Sequence, residues 1–78
     1  MEVNNAQDVA LADALVELDA ALAMDDMKHG IGSYRKMVLA KVLDLTTPGW
    51  KDNPTAVEWV KAQGVVAASR AILKRHLT

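Results

Sequence analysis

Four leucines, Leu11, Leu15, Leu18 and Leu22, recur at spacings of four, three and four residues. That interval returns a side chain to one face of an α-helix and scatters it over both faces of a strand, so the segment reads as an amphipathic helix. Seven alanines between residues 5 and 28 strengthen the helical preference. Asn4 or Asn5 can cap its start, Asp8 suits the positive end of the helix dipole, and the helix is expected to run to Lys28, before His29-Gly30.

The same period recurs twice more. Ser33 reads as the N-cap of a second helix, with Ile31 as a staple residue. Tyr34, Val38, Val42 and Leu45 share a face that Leu39 and Leu43 widen. Thr46-Thr47-Pro48-Gly49 stops it, and Pro48-Gly49 favours a type II turn. A third helix starts at Pro54 or Thr55, where Thr55 and Glu58 fit a capping box, and is expected to continue to Leu77. Trp59, Ala62, Val66, Leu73 and Leu77 then line one side. Gly64 is its weak point, at about 1 kcal/mol relative to alanine, and marks where a kink would fall in a helix otherwise read as continuous. Strand-period alternation is found nowhere in the chain. The expected fold is all-α: one domain over residues 1–78, a small antiparallel three-helix bundle of two long helices and one short.

Size limits what such a bundle can bury. A chain of 78 residues covers only about 60% of its unfolded surface. With no Phe and no Cys, it lacks the largest apolar side chains, disulfides and thiolate metal sites. Oligomerisation is the common remedy, which favours a self-associating chain, a homodimer in the simplest case. No apolar run nears the roughly 20 residues of a membrane span, and the acidic start is unlike a signal peptide. The expectation is a cytoplasmic protein without membrane partners.

On a helical wheel the first helix carries a second apolar sector, Val9, Ala12, Val16, Ala20, Ala23 and Met27, roughly 130° from the leucines. An ordinary surface helix has one stripe, so the second is a candidate contact with another chain; alanines exposed at little cost are the plainer explanation. Charge is also divided. Residues 1–27 hold seven acidic and no basic side chains, whereas residues 28–78 hold nine basic and three acidic ones, so −7 and +6 sum to −1. Such halves attract each other, within one chain or between two.

Chemistry-bearing patterns are few. The glycine-containing run from Lys28 to Lys36 could present backbone N–H groups to an anion, but it lacks the ending and the preceding strand of a phosphate-binding loop. Arg35 and Lys36 in a first helical turn call for nearby negative charge, and Asp25 and Asp26 are the simplest source. Arg70, Lys74 and Arg75 make the last helix basic. Lys28, Arg35, Lys36, Arg70, Lys74 and Arg75 are accordingly the candidate contacts for an anion or a nucleic acid. Trp50, in a polar loop, either seals the bundle end against Trp59 or anchors a partner. Tyr34 is expected at the core edge with its hydroxyl in water. His29 and His76 share no helical face with a carboxylate at ligand spacing, and no nucleophile stands beside a base.

The sequence thus predicts no enzyme, no cofactor and no metal. It predicts a protein-protein interaction module (adaptor, assembly component or inhibitor of a larger protein) that homo-oligomerises, with Val9, Val16, Met27 and Trp50 as interface residues. The alternative is a nucleic-acid-associated protein using the basic second and third helices.

Overall fold

The computed structural model describes the backbone of residues 6–77 and the side chains of residues 8–76. The expected Asn4 or Asn5 cap and the side chain of Leu77 lie outside the described residues. Four α-helices follow in order: α1 (Ala6–Ala23), α2 (Ile31–Thr46), α3 (Pro54–Gln63) and α4 (Val65–Leu77), with a 3-10 turn at Trp50–Asp52 before α3. The all-α expectation holds, and no strand occurs among the described residues. The number of helices is corrected from three to four.

The first helix ends at Ala23 rather than Lys28. Asp25 turns its carboxylate back to accept from the Met27 N–H at 2.9 Å, a local bond that competes with continued helix. Further turns follow through Lys28 N–H to Asp25 O and Ile31 N–H to Lys28 O. Met27 therefore stands in a turn, off the helical sector that sequence spacing assigned it. Ser33 is not the cap of α2. Gly30, in the left-handed region at φ 78°, precedes Ile31 there, with no side-chain cap bond. A β-carbon would strain that conformation, which is why glycine stands there.

At the other end of α2 the expected stop is realised. Gly49 has φ 81° and ψ 11°, and Trp50 N–H reaches Thr47 O at 3.1 Å, which together define the type II turn. α3 starts at Pro54, but its cap is Asn53 rather than Thr55. The Asn53 side chain accepts from the backbone N–H groups of Thr55 and Ala56.

Gly64 is the decisive departure. At φ 86° and ψ 158° it occupies a region essentially closed to other residues. It donates to Val60 O and accepts from Ala68 N–H, so one hydrogen bond closes α3 and the next opens α4. The break re-phases the residues after it. Ala68, Ser69 and Ile72 join Leu73, which was expected there, on the inward side, while Val66, expected on the buried side of an unbroken helix, is exposed; Ala62, ahead of the break, is exposed as well.

The core is built from α1, α2 and α4. Ala14, Leu15 and Leu18 meet Val38, Leu39, Val42 and Leu43 of α2 and Ala68, Ile72 and Leu73 of α4. Leu11 and Leu22 are half-buried at its edges. Ser69 is fully buried and donates its hydroxyl to Val65 O at 2.6 Å, so no polar atom is left without a partner in the core there. α3 contributes no fully buried residue; it rests on the core through half-buried Trp59 and Val60. Among the described residues no helix is long and apolar enough to cross a membrane.

Candidate interaction surfaces

Two surfaces are left apolar and uncovered, and they arise from different elements. The first is the outer face of α1. Burial of Ala14, Leu15, Leu18 and Ala21 fixes which side of the helix points inward. Val9, Ala12, Val16, Ala20 and Ala23 are then forced outward by the helical period, and all are exposed, Val9 at 47% and Val16 at 70%. Asp13 and Asp19 flank this strip and are exposed as well. Met27 is 88% exposed in the turn beyond the helix.

The second surface is a shallow groove of about 390 Å³ between α2, the 3-10 turn and the α3–α4 junction. Met37, Leu39, Ala40, Trp50, Val60 and Val65 form its apolar lining, and Lys36 and Lys51 border it. Trp50 is half-buried against the core. Its indole N–H donates to Asp44 at 2.8 Å and the Lys51 ammonium sits 5.9 Å from the ring centroid. Trp50 thus packs on the core and also presents a side to the groove. Met37, 56% exposed, was missed by sequence reasoning. A signal existed: it is a large apolar residue outside the face shared by Tyr34, Val38, Val42 and Leu45. A further depression of about 470 Å³ lies on the other side of α3, lined by Thr46, Thr55, Trp59, Ile72, Arg75 and His76 among others.

The basic candidates do not converge. Arg35 is only 6% exposed. Its Nε donates to Ala21 O at 2.9 Å, Nη2 donates to Leu22 O at 3.3 Å and to Met24 O at 2.8 Å, and Nη1 pairs with Asp26 at 2.6 Å. The guanidinium therefore caps the C-terminus of α1, where carbonyls lack helical partners and the dipole is negative. Asp26 supplies the neutralising charge that the sequence called for, together with these carbonyls, and Asp25 serves the turn instead. Arg35 is thereby withdrawn from the surface. Lys36 borders the apolar groove, Lys28 lines a small hollow with His29 and Tyr34, and Arg70 lines a depression that Asp19 shares. Arg75 borders the depression beside α3, and Lys74 is exposed nearby in sequence.

Where α1 meets α2, Glu17 accepts from Lys41 at 3.0 Å and from the Tyr34 hydroxyl at 3.2 Å. The hydroxyl expected in water is therefore bonded to a carboxylate. The Lys41 bond first, and then the Tyr34 bond, hold the Glu17 carboxyl below its ordinary range. Partial burial, with the Glu17 charge beside it, pushes the Tyr34 phenol up. Among the described residues no group of three or more His, Cys, Asp or Glu side chains is placed to hold a metal ion.

Comparison of the chain with protein-family models, with curated proteins and with solved structures finds no match.

Proposed function

We propose that this chain is a small, non-enzymatic protein-protein interaction module that self-associates, of the kind that serves as an adaptor, an assembly component or an inhibitor of a larger protein. The observation that carries this is the outer face of α1. Val9 and Val16 lie exposed directly across the helix from the residues that face the core. A helix with apolar faces on two opposite sides satisfies only one of them within its own bundle. The Trp50–Met37 groove supplies a second uncovered apolar area on a different element. Trp is among the residue types enriched where partner contacts are anchored.

Nucleic-acid association has less in its favour. One of its six candidate side chains, Arg35, is buried in a structural cap. Of the remaining five, Lys28, Lys36, Arg70 and Arg75 border four different depressions, one of them shared with Asp19, and Lys74 is exposed on α4, an arrangement that argues against a phosphate-tracking stripe. It predicts duplex or single-stranded binding at about 50 mM salt that weakens steeply as salt rises.

Sedimentation equilibrium tests the main proposal. The wild-type chain is expected above monomer mass at high micromolar concentration, and Val16→Glu is expected to lower that mass with its helicity intact. A strict monomer throughout would remove self-association.

A further inference from the structure

We infer that the groove bordered by Lys36 and Lys51 is the seat for α1 of a second copy, so that copies associate head to tail. This rests on the self-association proposed above and names the surfaces that meet.

Shape and charge both bear on the choice of occupant. The groove is apolar at its floor, with Met37, Trp50, Val60 and Val65, and the charged side chains that line it are both lysines. α3, which forms one side of it, buries no residue fully. Packing is therefore incomplete around that helix, and an added apolar surface gains contacts there at little cost. A fitting partner is a slender helix with small apolar side chains on one face and carboxylates beside them.

The chain itself carries such a helix. On α1 the strip Val9–Ala12–Val16–Ala20 has no side chain larger than valine, which permits close approach of two helices, at about 8–10 Å between axes. Asp13 and Asp19 flank the strip, placed to meet the two rim lysines. The wider charge division agrees, since residues 1–27 carry seven acidic side chains and no basic one. Opposite potentials on the two surfaces favour this pairing and disfavour α1 against α1, which would set carboxylates against carboxylates.

Orientation makes the contact heterologous. Tyr34, Val38 and Lys41 of α2 turn towards α1, where Tyr34 and Lys41 bond Glu17. Ser33, Lys36, Met37 and Ala40 line the groove on another flank of α2, centred roughly 120° around the helix by its 100° period. The α1 strip points away from α2 altogether. A copy that donates its strip still offers its groove, so the assembly either closes into a ring or extends.

Two charge-reversed chains test this. One carries Lys36→Glu with Lys51→Glu, the other Asp13→Lys with Asp19→Lys, each checked for wild-type helicity. Each alone is expected to lose at least about tenfold in association constant, consistent with like charges facing across the contact. An equimolar mixture is expected to regain assembly, because every acidic surface then has a basic one on the other chain. If the groove variant associates as wild type does, or if the mixture stays dissociated, the seat is wrong although self-association stands. A wild-type chain that is strictly monomeric overturns both. The milder Lys36→Gln, Lys51→Gln chain, expected to lose association to a smaller extent, decides the matter should the reversed chain fold poorly; full association by it counts against the groove.

Discussion

Replacing Arg35 with methionine removes the guanidinium and keeps most of the aliphatic stem, so it isolates the polar role of this buried side chain. Four hydrogen bonds are lost, three to the carbonyls of Ala21, Leu22 and Met24 and one to Asp26. Bonds from a charged donor contribute about 1.5–3 kcal/mol each when taken singly. Their sum overstates the net effect, because burying the guanidinium carries its own desolvation cost and water reaches some of the freed carbonyls. A net loss of about 2–4 kcal/mol is expected. Natural stabilities of about 0.05–0.15 kcal/mol per residue put a chain of this length near 4–12 kcal/mol, so the loss is a large fraction of the whole. The control is Asp26→Asn. Asp26 is 84% exposed, and an ion pair with so exposed a partner contributes about 0–1 kcal/mol. In urea, with a slope near 1 kcal/mol per molar for a small domain, Arg35→Met should lower the midpoint by about 2 M or more, and Asp26→Asn by less than about 1 M. Equal shifts for the two variants would place the effect in the ion pair and refute the helix-capping argument. So would a midpoint for Arg35→Met within about 0.5 M of wild type.

Gly64→Ala separates a broken helix from a continuous one by sign. In an unbroken helix it would stabilise by about 1 kcal/mol; at φ 86° and ψ 158° it should instead cost about 1–3 kcal/mol of backbone strain. The space is open, with no atom beyond the adjoining residues within 4 Å of an added Cβ, so a rise in thermal midpoint would contradict the break. Glu17 makes stability depend on acid. Its carboxyl titrates lower in the fold than its ordinary 4.5, so the unfolded chain takes up that proton first as pH falls. The contribution is complete above the ordinary value and is lost as pH drops through the lower folded one. Glu17→Gln should flatten that acid limb in urea midpoints measured against pH, and an unchanged slope would show that the Lys41 and Tyr34 bonds do not act on the carboxyl as described.

Local periodicity was sufficient for the helical class, for the inward leucines of α1, and for the core face of α2. It sufficed because each of these depends on residues within a few turns of one another. The type II turn at Pro48-Gly49 was equally legible, since proline and glycine set its dihedrals directly. Helix ends were less so. Asn53 and Thr55 are both competent caps, and Gly30 and Ser33 both begin helices, so the choice between them falls to the geometry of the neighbouring chain.

Three features were decided only by the tertiary structure. Arg35 reads as a surface cation until α1 is laid against α2, which places the bare carbonyls of a helix end within its reach. The groove beneath Met37 needs α2, the 3-10 turn and the α3–α4 junction together, and no single segment contains it. The phase of α4 was settled at Gly64. A glycine inside a helical pattern is compatible with continuation or with a break, and the two place different residues in the core. Burial of Ala68 and Ile72 against α1 and α2 selects the break, because an unbroken helix phased on Trp59 turns those two side chains away from the core, whereas Leu73 faces inward in either case.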